Sequence, residues 1–402
     1  MSRRAEAELA RAPPRDAVCA AMRAVATAVF LLVVTSVTVG VHRYLWARLV
    51  RDPGWSAPWT RRGTRALIAL GALLPAGMLL NRALPRSVAS PVAWVVFLWM
   101  GTAFLLFVSV LAGDVLRLAA RTADPERRTF LARVLATVTG SLGAALSGVA
   151  VGTALAAWTV RTVPVRLAKL PASKRGFTIV QLTDVHVGPT IGRDFIEALV
   201  ARVNALSPDL VAITGDLVDG SVANLGPLLE PLKNLRARHG VFFVTGNHEY
   251  ISGVEEWVAF LPSLGIRVLE NERVTIGEGD DAFELAGVYD FSAARFRSRR
   301  VPDLNRALHG WTGDTAVVLL AHQPKHAREA IPRGVGLVLS GHTHGGQIWP
   351  FSYLVRLDQP YIAGLHRERE TQVYVSEGTG YWGPPMRLGT RGEITRVVLS
   401  PA

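Results

Sequence analysis

Asp184-Val185-His186, Gly215-Asp216, Gly246-Asn247-His248-Glu249, His322 and Gly341-His342-Thr343-His344 are the places in this chain where chemistry is concentrated. Asp carboxylates and neutral imidazoles suit first-row divalent metals. The single cysteine, Cys19, excludes an internal disulfide framework and any Cys-rich zinc knuckle. Such a set is too large for one tetrahedral ion, and two ions sharing one carboxylate would use it. Two ions about 3.5–4 Å apart can activate a water and clamp an in-line displacement at phosphorus. The spacing points to a dinuclear hydrolase.

Each cluster follows a short β-branched run. The predicted strands are Phe177–Leu182, Leu210–Thr214, Val241–Thr245, Ala316–Leu320 and Leu337–Ser340, separated by helical stretches, an α/β pattern. Phe195, Ile196, Leu199, Val200 and Val203, and then Leu225, Leu228, Leu229, Leu232 and Leu235, recur at helical spacing and read as core-facing stripes. In open α/β sheets ligand groups gather beyond the carboxyl ends of the strands. The five clusters are therefore expected to converge at one end of one sheet. Gly215, Gly246 and Gly341 suit strand exits where backbones approach closely.

The five motifs, intact and in order over about 225 residues, resemble those of the calcineurin-like metallophosphoesterases. The run Gly341–Gln347 and the tail Gly378-Thr379-Gly380, Met386-Arg387 and Glu393-Ile394 are similar to the YkuE/YaeI-like branch. That branch includes membrane-attached members and some that cleave the pyrophosphate of UDP-diacylglucosamine. The resemblance implies a four-layer αββα sandwich. It also implies one metal on Asp184, His186, Asp216 and His344, and a second on Asp216, Asn247, His322 and His342, with Asp216 bridging. His248 would face the phosphoryl group as general acid or charge stabiliser, with Glu249 as the natural carboxylate to orient it. One departure is Gln323-Pro324-Lys325 after His322, where relatives more often carry Asn or Glu and then Pro-Asp; Lys325 either tunes anion affinity or is simply exposed. His239, His309, His326 and His366 belong to no motif and read as surface or loop residues.

The first half is different. Half of the 402 residues are apolar and 19% are charged, against roughly 25% in an ordinary soluble domain. Ala24–Val41, Ala66–Asn81, Ser87–Gly113 and Val134–Val160 contain no Asp, Glu, Lys or Arg. About 20 apolar residues cross a bilayer, so four spans are expected, with 66–81 marginal at 16 residues and carrying Pro75. Loop basic residues divide twelve to eleven between the two sides, so the positive-inside rule leaves the side of the catalytic domain undetermined. No Asp, Glu, Lys or Arg interrupts the runs, and they read as an anchor rather than an ion pathway. The expected division is a membrane anchor over 1–161, a basic juxtamembrane linker over 162–176 and the metallophosphoesterase domain over 177–402. The expected fold class is thus a multi-pass α-helical membrane region followed by an α/β domain.

The net charge of +12 separates into +16 over residues 1–175 and −4 over 176–402. A nucleic-acid reader needs its basic face on the working domain, so no nucleic acid is expected. A decayed scaffold would have lost a ligand or His248, and this sequence keeps them all. The expected protein is a membrane-anchored phosphoesterase whose two divalent ions (Mn, Fe, Zn or similar) activate hydroxide against a phosphate ester or pyrophosphate. Its expected partners are the lipid bilayer and a phosphorylated small molecule or lipid such as a glycolipid headgroup; the alternatives are a tethered nucleotide or general phosphodiesterase and a non-catalytic metal-binding scaffold.

Overall fold

The computed structural model describes residues 15–119 and 124–402, so the basic tail over 1–14, counted above in the charge balance, lies outside the described residues. The chain divides into two compact units, residues 1–145 and 146–402.

The first unit is helical: α1 (Arg15–Leu45), α2 (Ala57–Ala83), α3 (Arg86–Ala119) and the first part of α4 (Pro125–Ala154). All four are long and apolar enough to cross a membrane. The marginal second run is longer as a helix than as an uncharged stretch. Ser56 and Pro58 start α2 well before the uncharged stretch, so that Ala57–Leu80 is a 24-residue candidate span with three arginines near its start, about 36 Å of helix. α1 runs on into a π-helical segment, Trp46–Arg51. There Arg48 pairs with Asp52 at 2.8 Å and Asp114 at 2.9 Å, while Arg117 reaches Asp52 at 3.1 Å. The charges thus close on one another just beyond the apolar runs. His42, inside α1, is satisfied in the same economical way: Nδ1–H donates to Thr38 O at 2.8 Å, and Nε2 accepts from Trp99 Nε1–H at 2.9 Å.

The second unit stacks two six-stranded sheets. One has the order β1 (Thr159–Leu167), β12 (Glu393–Pro401), β2 (Thr178–Leu182), β3 (Leu210–Ile213), β4 (Val241–Phe243), β5 (Ile266–Val268). The other runs β10 (Gly364–Glu368), β11 (Thr371–Val375), β9 (Leu337–Ser340), β8 (Val317–Leu320), β7 (Phe283–Gly287), β6 (Glu272–Ile276). Alternation assigns the faces. Ile179, Leu210 and Ala212 meet Leu320, Leu337 and Leu339 between the sheets, whereas Val180, Leu182, Val211 and Ile213 pack outward against α5 (Arg193–Asn204), α6 (Val222–Leu229) and the helix Val254–Phe260. Short helices cover the outer face of the second sheet. The result is the expected four-layer αββα arrangement.

Two expectations are corrected. The five motif-bearing strands do not share one sheet: β2, β3 and β4 lie in the first, β8 and β9 in the second. Their runs are buried on both faces, so periodicity carries no information about which sheet each joins. The expected linker is also largely structured. Helix α4 stops at Ala154 rather than continuing to Val160, and residues 159–167 form β1, paired in parallel with β12. Val163, Val165 and Leu167 turn into the inter-sheet core while Arg166 points out. Arg161, Pro164 and Arg166 lie on the outer face of this edge strand, where proline is tolerated.

Candidate metal centre

The loops leaving β2, β3, β4, β8 and β9 bring all eight expected residues together. Asp184, His186 and His344 form one group of potential ligands, Asp216, His322 and His342 a second, and His186, Asp216 and His248 a third. His186 Nε2 lies 3.1 Å from His344 Nε2 and 3.8 Å from Asp216 Oδ2, and His344 Nε2 lies 3.4 Å from Asp184 Oδ1. His322 Nε2 is 3.2 Å from Asp216 Oδ2, 3.1 Å from Asn247 Oδ1 and 3.2 Å from His342 Nδ1. Asp216 is the residue common to both sides.

The backbone is bent to make this possible. Asp184, His186, Asp216, His342 and His344 all have φ between 50° and 70°, a left-handed conformation that costs a non-glycine residue about 1–3 kcal/mol. Strain repeated at five of the seven proposed ligands marks a site that the rest of the fold over-determines. Gly215 and Gly341 leave room for it. A Cβ on Gly215 would lie 2.6 Å from Gly246 N, and one on Gly341 would collide with Thr183 Oγ1 and Asp184 Oδ2.

Hydrogen bonds aim the ligand atoms. His322 Nδ1–H donates to Thr214 O at 2.8 Å and His186 Nδ1–H to Asp219 Oδ1 at 3.1 Å, so both rings turn Nε2 inward. Asp184 accepts from His342 N and from Thr183 Oγ1, and Asp216 Oδ1 accepts from His248 N at 2.8 Å. Glu249 is not the residue that orients His248. Fully buried, it accepts from the backbone N–H groups of Asp216, Leu217 and Gly246. It clamps the loop that carries Asp216. The ring partner of His248 is Asp219, with Oδ1 2.6 Å from Nδ1. Sequence reading passed over Asp219, although its place three residues beyond Asp216 in the same strand-exit loop was a usable signal.

The electrostatics follow from burial among unlike charges. Burial pushes the Asp184 carboxyl up, more than His322 and His186 draw it down. Burial acts on Asp216 too, but His322, His248 and His186 hold it well below the usual carboxylate range. For His248 burial opposes the cation, yet Asp216 and Asp219 raise it to about 9. Burial and the neighbouring His322 bring His342 down to about 4.

Around the centre, Gln323 donates to both oxygens of the buried Asp290 at 2.8 Å. Lys325 is half-buried and reaches Asp358 at 3.4 Å. His326 is not a surface residue: it is 3% exposed and stacks on Phe291 at 3.8 Å. The fully buried Arg387 bonds the carbonyls of Glu377, Gly378 and Gly380 and so fixes the tail loop. Trp382 of that loop stands edge-on to His248 at 5.7 Å.

Residues 177–346 match the family model described as calcineurin-like phosphoesterase. A transmembrane protein with metallophosphoesterase domain from Danio rerio is 43% identical over 251 residues, covering 60% of this chain and 57% of the relative. An uncharacterized metallophosphoesterase of Aquifex aeolicus is 35% identical over 242 residues, 60% of this chain and 91% of the relative. The metallophosphoesterase YkuE of Bacillus subtilis is 28% identical over 239 residues, covering 58% and 82%. The chain thus spans little more than half the length of the Danio relative. The family uses paired divalent metals to hydrolyse phosphoesters, and the Asp/His/Asn donor set here fits them. With four apolar helices of spanning length ahead of that domain, the chain belongs to the calcineurin-like metallophosphoesterases as a multi-pass membrane member.

Proposed function

We propose that the protein is a membrane-anchored hydrolase of phosphate esters or pyrophosphates, working through two metal sites. The observation that carries this reading is the surroundings of His322 Nε2. With Nδ1–H committed to Thr214 O, that nitrogen points into the cluster and faces the oxygens of Asp216 and Asn247 and Nδ1 of His342 at 3.1–3.2 Å. Two imidazole nitrogens, a carboxylate oxygen and an amide oxygen converge there, the kind of N/O donor set that suits a first-row divalent cation.

Asp184, His186, Asp216 and His344 would hold one ion, and Asp216, Asn247, His322 and His342 the other. When bound, two divalent ions supply Lewis acidity at the phosphoryl oxygens and a water acidified for attack. The protein's own groups do the rest. His248, kept protonated near neutrality by Asp216 and Asp219, presents Nε2 toward the centre and donates its proton to the leaving oxygen. Trp382 stands edge-on to its ring.

The substrate in this proposal is a phosphate ester or pyrophosphate on a lipid or glycolipid headgroup, of the UDP-diacylglucosamine kind. Four residues separate the end of α4 from the start of β1, and tethering raises the effective concentration of membrane-borne partners. The −4 charge of residues 176–402 also disfavours polymeric nucleic acid. The test is hydrolysis of p-nitrophenyl phosphate, its bis-ester and a lipid-linked phosphodiester by the detergent-solubilised full chain, with and without Mn²⁺. Metal-dependent turnover with preference for the lipid-linked ester is expected. Preference for soluble nucleotides at matched metal loading would overturn the substrate, and absence of hydrolysis on every ester would overturn the enzyme.

A further inference from the structure

Large apolar side chains are exposed unevenly over the second unit. Among its described residues from Thr159 onward, six of the ten exposed large apolar residues belong to two loops: Trp349, Phe351, Tyr353, Leu354, Leu357 and Trp382, each 45–84% exposed. The loops are stitched to each other. Gln347 donates through Nε2 to Trp382 O at 2.9 Å and accepts from Trp382 N–H at 2.9 Å, and Trp349 N–H donates to Leu388 O. The six residues therefore form one rim, and its member Trp382 touches His248 at the metal-ligand cluster. Concentrated exposed apolar surface marks an interaction site.

What covers the rim follows from where its loops are tied. Leu146–Ala154, the end of the spanning helix α4, belongs to the same compact unit. Arg387 N–H donates to Ala150 O at 2.9 Å in that helix end, and Trp158 Nε1–H, just beyond it, donates to Thr379 O at 2.9 Å. Arg161 reaches Glu377 at 3.8 Å. Trp382 lies five residues before Arg387, so their Cα atoms are at most about 18 Å apart. The Trp382 side of the rim is thus tethered to the C-terminal end of α4. The rim's composition of Trp, Tyr, Phe and Leu with the exposed Arg356 among them is that of side chains at the headgroup level, where aromatic rings and cations meet anionic lipid.

We propose that this rim seats in the headgroup layer of the bilayer that α4 crosses, so that the metal-ligand cluster opens on the membrane surface and takes its phosphoryl group from a lipid headgroup. The substrate half rests on the phosphoesterase reading; the seating of the rim does not.

The test uses the full chain in lipid nanodiscs. In a Cys19→Ser background, Leu357→Cys carries a fluorophore, and Glu278→Cys, at an exposed turn, carries the same label as reference. The label at 357 is expected to be quenched several-fold more by lipid spin-labelled near the headgroup than the label at 278, and to be shielded from aqueous iodide. Equal iodide access at both positions overturns the seating. Shielding from iodide without quenching by spin-labelled lipid also overturns it, and assigns the rim to a second copy of the chain or another protein. In parallel, Leu354→Asp combined with Leu357→Asp is expected to lower hydrolysis of a lipid-linked phosphodiester at least tenfold and leave bis-p-nitrophenyl phosphate unchanged. Equal effects on both esters overturn the lipid-headgroup substrate. Failure of the unmodified protein to cleave either overturns the phosphoesterase reading alone, because the quenching measurement needs no activity.

Discussion

Asp219 Oδ1 accepts from His248 Nδ1–H at 2.6 Å, and the same oxygen accepts from His186 Nδ1–H at 3.1 Å. One carboxylate outside the proposed metal shells thus sets the ring orientation of a proposed ligand and of the proposed acid together.

Asp219→Asn keeps an acceptor oxygen but removes the charge. Partners of this kind typically contribute 10–100-fold in activity or metal affinity, and turnover is expected to fall within about that range. Asp219 helps raise the His248 pKa, so its loss lets the proton leave at lower pH. The alkaline limb of the pH–rate profile should move toward acid. A limb that stays in place shows that Asp219 does not act through His248.

His248→Gln should reduce turnover by about 10²–10⁴, the range for a positioned acid, with metal content kept. His248 also lies within ligand-like reach of His186 and Asp216, so the metal analysis matters as much as the rate. Stoichiometric loss of an ion in this variant would make His248 a ligand.

Asp216 groups with His322 and His342 and also with His186 of the other ligand group, so Asp216→Ala should lose both ions and activity together while the anchored chain still accumulates in the membrane. Elemental analysis of the purified variant reads this directly, and full two-ion content would contradict a bridging role.

His326 provides a pH test of stability away from catalysis. Burial, then the nearby His322 and Lys325, depress it to about 3, and Nε2 has no hydrogen-bond partner. An unfolded histidine protonates near 6.5, so between those values the unfolded state binds more protons and folding weakens as pH falls. By pH 5 this group is worth about 2 kcal/mol of lost stability. His326→Phe, which keeps a ring against Phe291, should unfold less readily at pH 5 relative to pH 7.5 than the parent does in thermal melts of the detergent-solubilised protein. An unchanged difference between the two pH values would show that this histidine is not a source of the acid sensitivity.

The ligand set was legible because each member follows a strand exit, most of them within a few residues of a glycine or another ligand, and because metal-binding side chains are rare enough for their order to carry information. The spans were legible because charge-free runs of that length have one good solvent. Residue types could not say that β8 and β9 join a different sheet from β2, because strands buried on both faces read alike. Nor could they say that Thr159–Leu167 is an edge strand, since its pairing with Glu393–Pro401 joins segments more than 200 residues apart. That Asp219 rather than Glu249 orients His248 was hidden for a similar reason. Both are carboxylates within three residues of a proposed ligand, and the choice between a ring nitrogen and three backbone N–H groups is set by where the loop after β3 passes the loop after β4. Local sequence specifies the groups and their spacing; which of them face each other depends on pairings that only the folded chain brings into contact.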